Sequence, residues 1–246
     1  MIWIKASLAV CVVLLFLFGA GAIGAAEHAR SVGAGSGILT DPTRDGPCGV
    51  LRMGSDDTYE NAYAWDGWVH GPPYYFAFAE CFHGQPEVCS LVLDLTQLGW
   101  YHGQTCDLLI WNDDQGKPGA VLAIMPEVDP GPIAMWPQIS RHVLSFDPPV
   151  YPTDPWWGGY CPVAIQWDQP AWYIAADLEP PGTRGCPYTN IPPGIGYDEG
   201  WQSVDVVWGP TPALGIGVMA HSLAPAAGPQ PLGELTSWGK VKGLYR

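Results

Sequence analysis

Glycine and proline interrupt almost every stretch of this chain that is long enough to form an amphipathic helix. The 246 residues include 31 glycines and 26 prolines, and a proline inside a helix removes a backbone hydrogen bond. Short apolar runs recur between Gly, Pro and Asp clusters from Cys48 to about Ala220. Such runs are typical of strands bounded by turns, so the sequence predicts an all-β fold, specifically a two-sheet, jelly-roll-like β-sandwich.

The clearest strand pattern lies between Cys106 and Met125, where two apolar runs flank a short acidic segment. Residues that hydrogen-bond their own backbone, tolerate positive φ or restrict φ are concentrated in this segment, which predicts a β-hairpin. These turn residues are Asn112, Asp113, Asp114, Gly116, Pro118 and Gly119. The run from 160 to 176 predicts a second hairpin, which turns around Asp168. Strands are predicted near 62–65, 74–80, 88–95, 107–111, 121–125, 139–146, 163–167, 172–176, 204–208 and 214–219.

Composition divides the chain into five segments. Residues 1–26 carry one basic residue, an apolar run and then small residues, which is typical of a cleaved signal peptide. Because the apolar run is short for a bilayer, no stable membrane span is expected after cleavage, and an uncleaved anchor is the alternative. The remaining segments are a flexible leader (27–47), the β-sandwich domain (48–222), a Pro-rich linker (223–233) and a basic, aromatic tail (234–246).

The cysteines agree with export to an extracellular, cell-surface or periplasmic location. Removal of Cys11 with the signal peptide leaves an even number, which is typical of disulfide bonds in an oxidising compartment, with no free thiol. Metal binding is the alternative, but no Cys-x-x-Cys spacing occurs. Proximity along the chain favours the pairs Cys81–Cys89 and Cys161–Cys186, which leaves Cys48 with Cys106.

The formal net charge of −14 restricts the class of partner. Residues 53–233 contain 20 acidic side chains and three basic ones, and this excess would repel phosphate groups, so nucleic acid is not expected to bind. A polysaccharide or a surface protein is more compatible with this charge. The tail is different, because it is basic and its apolar residues recur at spacings of three and four. We expect a short helix there that docks on an export or anchoring machine or, alternatively, on the acidic domain.

Oxygen ligands suited to calcium occur together at Asn112, Asp113 and Asp114, and again within residues 56–60. The spacing lacks the distal glutamate of an EF-hand loop. Capping of the turn explains Asn112 and Asp113 without an ion. Calcium is therefore a candidate cofactor beside this simpler interpretation, and no other cofactor is predicted.

The chain contains 13 tryptophans and 11 tyrosines, and several of the tryptophans fall in segments with a loop-like composition. Exposed rings beside Asp, Asn and Gln suit stacking on sugar faces, with the hydroxyls hydrogen-bonded at the rim. The alternative is that these rings close the ends of the sandwich. The candidate ligand-binding residues are Trp68, Trp100, Trp136, Trp156, Trp157 and Trp201.

Motifs for nucleophilic or metal-dependent catalysis are missing from the sequence, which has no Gly-x-Ser-x-Gly and no His-Glu-x-x-His pattern. We therefore favour a non-catalytic binding or structural module and predict no catalytic residue. Acidic residues are abundant, so the alternative is a secreted carbohydrate-active hydrolase that uses paired carboxylates.

Three motifs resemble a poorly characterised group of bacterial secreted β-sandwich modules. They are Asp56-Asp-Thr-Tyr-Glu-Asn-Ala-Tyr-Ala-Trp65, Tyr74-Tyr-Phe-Ala-Phe78 and the segment 109–119. The chain departs from the pattern, because no glycine follows Asp57 and because Phe76-Ala-Phe78-Ala stands where the group has Ala-Val-Arg-Phe. The resemblance covers about 56–220 and implies an extracellular, non-enzymatic module, without naming a ligand.

Overall fold

A computed structural model describes residues 28–41, 49–66, 71–84, 86–99, 104–163, 172–179 and 185–222. The predicted signal peptide, the linker, the tail, and residues Cys48, Trp68 and Trp100 lie outside these described residues. Among the described residues, no helix has the length and apolar composition needed to cross a membrane.

The described chain is almost entirely β-structure and forms two sheets, as predicted. The first sheet has the order β1-β4-β11-β6-β15-β3, with β9 on the other edge of β6, β2 beside β9 and β14 beside β11. Its strands are β1 (Ala29–Ser31), β2 (Ile38–Leu39), β3 (Val50–Met53), β4 (Asn61–Trp65), β6 (Pro86–Thr96), β9 (Gln138–Val150), β11 (Tyr173–Asp177), β14 (Ala213–Leu214) and β15 (Ile216–Ser222).

The second sheet has the order β13-β12-β5-β10-β7-β8. Its strands are β5 (Phe78–Phe82), β7 (Thr105–Asp113), β8 (Pro118–Val128), β10 (Trp156–Val163), β12 (Tyr188–Ile191) and β13 (Gly200–Ser203). The predicted hairpin between Cys106 and Met125 is confirmed, because β7 pairs antiparallel with β8 and Asp113 lies opposite Pro118.

The main hydrophobic core lies between the sheets and follows the two-residue alternation of side chains along a strand. On β6 the buried Leu91, Leu93 and Leu95 contribute to this core, and on β7 Leu108 and Ile110 do so from the opposite sheet. Residues at alternate positions face outward, where further segments cover them. The central strands of both sheets therefore carry buried apolar side chains on two faces, unlike an antiparallel sheet that has one solvated face.

The predicted strand at 204–208 and the predicted strand pairing around Asp168 are wrong. The segment 204–208 contains a single helical turn, α1 (Asp205–Trp208), after Val204. Trp208 at its end stacks on Tyr63 with ring centroids 4.9 Å apart and closes one end of the core. The predicted hairpin around Asp168 is also wrong, because β10 belongs to the second sheet and β11 to the first. Proximity in sequence does not pair these strands, since the chain crosses between the sheets.

The predicted leader is partly integrated into the domain. β1 pairs antiparallel with β4, and β2 lies parallel to β9. Val32 between them packs against an apolar cluster on the outer face of the first sheet. Composition predicts a flexible segment because it has little apolar surface of its own. In the structure, strands distant in sequence satisfy its backbone hydrogen bonds.

A disulfide joins Cys81 and Cys186, which are 105 residues apart in sequence. Cys89 is also disulfide-bonded, and not to Cys81 or Cys186. The predicted pairs Cys81–Cys89 and Cys161–Cys186 are therefore wrong. Cys81 lies on the outer side of the second sheet and Cys89 on the outer side of the first, so the sandwich separates two cysteines that are close in sequence.

Cys106 and Cys161 are free thiols, so the predicted Cys48–Cys106 pair and the expected absence of free thiols are also wrong. The two residues lie on neighbouring strands, where Cys106 pairs with Pro162 and Cys161 pairs with Asp107. Because successive side chains alternate, Cys106 faces the core and Cys161 faces outward. Burial raises the pKa of both thiols, which keeps them protonated and unreactive.

Candidate functional site

An aromatic cavity of about 530 Å³ lies where the β7–β8 turn, β13 and the loop before β5 meet. This volume is within the range of small-molecule sites, about 300–1,000 Å³. Rings and acidic or amide side chains share its wall. Those that matter below are Tyr74, Tyr75, Trp111, Asp114, Asn190, Glu199 and Trp201.

The two tryptophans of the cavity are held by strands of the second sheet. Trp111 on β7 and Trp201 on β13 meet edge to face, with ring centroids 5.2 Å apart and an interplanar angle of 79°. Trp111 is buried, whereas Trp201 is only partly buried. The edge contact therefore orients the Trp201 ring while part of its surface remains available to a ligand.

The loop 71–77 supplies Tyr74 and Tyr75. Tyr74 and Phe76 have φ values of 61° and 68°, in the left-handed region that side chains other than glycine rarely adopt. Residues in such conformations persist only when surrounding contacts hold them, and they are concentrated at functional sites.

Asn190 on β12 supplies those contacts. Its Nδ2 donates to the carbonyl oxygens of Pro73 (2.8 Å) and Tyr74 (3.2 Å). Its backbone carbonyl accepts from Phe76 N–H at 2.7 Å, and its backbone N–H donates to Ala77 at 3.0 Å. Four hydrogen bonds from one buried residue thus hold the strained loop that carries the two tyrosines.

Two buried amide oxygens beside the cavity have no hydrogen-bond partner among the described residues: Asn112 Oδ1 and Asn190 Oδ1. Gly119 lies over the first, and a Cβ at this position would come within 2.6 Å of Asn112 Oδ1. A glycine is therefore required at position 119 by the close approach of Asn112, whereas Gln115 and Gly116 are the residues of this turn with positive φ.

Asp114 reaches the cavity from a two-residue hairpin loop. Gln115 and Gly116 have φ values of 55° and 81°, as a type I′ turn requires. Asp114 and Lys117 close the loop through reciprocal backbone hydrogen bonds of 2.8 and 3.2 Å. The geometry of the turn thereby sets the position from which the Asp114 carboxylate lines the cavity.

Glu199 is the second carboxylate of the cavity and precedes β13. It accepts a hydrogen bond from the Tyr75 hydroxyl, and this bond raises the pKa of Tyr75. The contact links the loop 71–77 to the start of β13. The resulting wall combines ring faces with carboxylate oxygens, which can bind a ligand that is partly apolar and rich in hydrogen-bond donors.

The structure places the predicted ring residues in different environments. Trp201 lines the cavity. Trp156 and Trp157 lie within β10 rather than in a loop and are 0% and 2% exposed. Trp156 stacks on Phe82 in the core, and Trp157 donates to Asp113 at 2.9 Å, so both serve packing instead of ligand contact.

Trp136 is also a packing residue. Its ring lies against Gly35 and Gly37 of the segment before β2 and contacts the cluster formed by Tyr59, Ile139 and Ala175. This position is on the outer side of the first sheet, away from the cavity. Among the predicted tryptophans in the described residues, only Trp201 borders the aromatic cavity.

The predicted calcium ligands of the β7–β8 turn have separate roles. Asp113 accepts from the backbone N–H of Gly116 at 3.0 Å and from Trp157 Nε1, which uses both of its oxygens. Asn112 Oδ1 is buried, and Asp114 faces the cavity. Within the described ranges, no three His, Cys, Asp or Glu side chains are grouped as a metal would require. Calcium binding stays a prediction.

Of the acidic residues within 56–60, Asp57 forms an ion pair with a protein cation, Arg141. Arg141 Nη2 lies 2.7 Å from Asp57 and 2.7 Å from Asp94, and its Nε donates to Asp94 at 2.8 Å. Tyr59 donates its hydroxyl to Asp94 at 2.5 Å. Burial lowers the pKa of Arg141, but its hydrogen bonds to both aspartates outweigh burial and raise it. The first motif of the resemblance thus contributes to a buried ion-pair network.

Glu80 on β5 shows a third arrangement of a carboxyl group. It is 1% exposed and accepts from the backbone N–H groups of Cys186 (2.8 Å) and Leu214 (2.7 Å), which links the two sheets. Burial raises the pKa of Glu80 to about 8, and these two hydrogen bonds offset only part of the effect. Glu80 is therefore mainly protonated at neutral pH.

Sequence reasoning missed Tyr74, Tyr75, Asn190 and Glu199. The interpretation of 74–80 as one strand assigned the tyrosines to the sheet, although Gly71-Pro-Pro73 before them is a turn signal. Asn190 and Glu199 carry no local signal, since their partners are more than one hundred residues away. Comparison of the chain with family models, curated proteins and solved structures finds no match.

Proposed function

We propose that the protein is an exported β-sandwich module of jelly-roll type that binds carbohydrate in the aromatic cavity. The observation that carries this proposal is the combination of partly exposed rings and carboxylates in one preformed cavity. Sugar rings present apolar C–H faces to aromatic side chains, while their hydroxyls donate to oxygen acceptors. Trp201, Tyr74 and Tyr75 supply such rings, and Asp114 and Glu199 supply the acceptors.

The proposed location is extracellular, at the cell surface or in the periplasm. The N-terminal residues 1–26 have the composition of a cleaved signal peptide. The Cys81–Cys186 disulfide is compatible with an oxidising compartment. Polysaccharides are available to a protein in these locations, which fits the chemistry of the cavity.

Calorimetric titration of the mature protein with a panel of neutral and charged polysaccharides tests this function. We expect Trp201→Ala to weaken binding at least tenfold, equivalent to about 1.4 kcal/mol. Tyr151→Ala is the matched control, because Tyr151 is 60% exposed and lies outside the cavity. Equal losses in both variants would place binding elsewhere, and no binding to any glycan would refute the proposed function.

A glycoside hydrolase is the second candidate, because Asp114 and Glu199 line the same cavity and hydrolysis uses two carboxyl groups. Reducing-end release from each bound polysaccharide measures it. A hydrolase would lose this release in both Asp114→Asn and Glu199→Gln. A wild-type protein that binds a glycan without releasing reducing ends is a binding module.

We also propose that the tail, residues 234–246, docks on an export or anchoring machine. Its basic and aromatic composition, opposite in charge to the domain, motivates this proposal. Deletion of 234–246 should impair surface delivery and change the melting temperature little. A truncated protein that is less stable but normally delivered would show that the tail belongs to the fold.

A further inference from the structure

We infer that the aromatic cavity selects a carbohydrate with free, protonated amines, such as a glucosamine oligomer, over a neutral or acidic sugar. This inference rests on the proposed function and specifies the ligand class of the same cavity. Two independent features of the wall support it: the charge and the rings.

The charged side chains of the cavity are both acidic. Asp114 and Glu199 line it, and no Lys or Arg is among the described residues of its wall. Lys117 lies in the same turn as Asp114, but its exposed side chain is not part of the wall. Asp113, the other acid of this turn, is bound by Trp157 and Gly116. An ammonium group would gain attraction from two carboxylates, whereas a uronic acid would be repelled.

The aromatic rings of the wall also favour a positively charged ligand. Trp201, Tyr74 and Tyr75 are the partly exposed aromatic rings of the wall. The face of an aromatic ring carries negative electrostatic potential, and it attracts cations within about 6 Å of its centroid. A neutral hydroxyl or acetamide gains less from such faces, so the rings add to the preference that the carboxylates establish.

The test compares two oligosaccharides that differ only at nitrogen. Calorimetry at low salt and at a pH where the amine is protonated would measure the affinity of a β-1,4-linked glucosamine hexamer and of its fully N-acetylated counterpart. We expect the amine form to bind at least about tenfold more tightly. Glu199→Gln and Asp114→Asn should each reduce this affinity several-fold, and by a larger factor than they reduce the affinity for the acetylated hexamer.

Asp147→Asn controls for attraction by the overall negative charge, because Asp147 is exposed and lies outside the cavity. It should leave both affinities unchanged, and a loss equal to that of Glu199→Gln would overturn the inference. Tetramethylammonium tests whether the charge alone suffices, and an affinity equal to that of the glucosamine hexamer would also overturn it. Equal affinity for the two hexamers would refute amine selection while leaving carbohydrate binding intact. If no glycan binds, both proposals fail.

Discussion

Acidic residues on the outer sides of the two sheets differ in whether a cation of the protein lies beside them. On the first sheet, Asp57 and Asp94 are bound by Arg141, and Asp94 is completely buried. On the second, Asp114 and Glu199 line an open cavity, and no described Lys or Arg forms an ion pair with them. A carboxylate neutralised within the protein supports the fold, whereas one left without a cation can serve a ligand.

The largest effect is expected from Arg141→Met. Removal of the guanidinium leaves Asp94 and Asp57 without their cation, and breaking one side of a buried ion pair costs about 3–5 kcal/mol. Thermal denaturation should show a melting temperature lower by roughly 10 °C. Lys117→Met removes the same charge from an exposed position and should change stability by less than about 0.5 kcal/mol. Similar melting temperatures for the two variants would contradict a structural role for the network.

Glu80 extends the comparison, because it is buried and no cation among the described residues forms an ion pair with it. Its pKa rises from 4.5 in the unfolded chain to about 8 in the folded protein, so the folded state holds the proton more tightly. The stability contributed by the protonated form is fully present below pH 4.5 and is lost as pH rises through 8. Between pH 6.5 and 8 this loss is at most about 2 kcal/mol, since one pKa unit corresponds to about 1.4 kcal/mol.

Two other buried groups titrate at lower pH, and they limit the pH range in which the effect of Glu80 on stability can be measured separately. The pKa of Asp177 is raised to about 6 by burial, so it adds a loss of the same sign at lower pH. Burial lowers the pKa of His142, which makes stability rise with pH up to about 6.5. Urea denaturation from pH 6.5 to 8 should show the decline in the wild type and in Glu179→Gln, an exposed control. In Glu80→Gln the slope should be smaller, whatever the absolute stability.

Gly116→Val should destabilise by about 1–2 kcal/mol, because φ is 81° at this position and a β-branched residue resists that conformation. Space is not the cause, since a Cβ here meets nothing within 4 Å. Gly116→Asn, which tolerates the left-handed region, should cost less. Denaturation of the two variants separates backbone strain from crowding, and equal losses would argue against the type I′ assignment.

The smallest effect is expected from Asp114→Asn, which should change stability by less than about 0.5 kcal/mol because the side chain faces the cavity. Addition of calcium or of a chelator should shift the melting temperature by less than about 1 °C, since Asp113 already binds protein donors. A calcium-dependent rise of several degrees, lost in Asp114→Asn, would instead show that this turn binds the ion.

The aromatic cavity was only partly predictable from sequence. Trp201 was identified because a ring beside polar residues outside a strand pattern suggests exposure. Trp156 and Trp157 carried the same local signal, yet their strand lies in the middle of the second sheet and both rings are buried. The exposure of a ring depends on which strands flank it, and this depends on pairing between distant segments.

Local chemistry determined the β-class and the β7–β8 hairpin, because backbone preferences of glycine, proline and Asx residues act over a few residues. Tertiary structure decided which carboxylates are neutralised and which cysteines pair. Asp57 and Arg141 are 84 residues apart, and Cys81 and Cys186 are 105 apart. Charge compensation and disulfide formation require atoms within a few ångströms of each other, and only the folding of two sheets onto a common core brings such residues together.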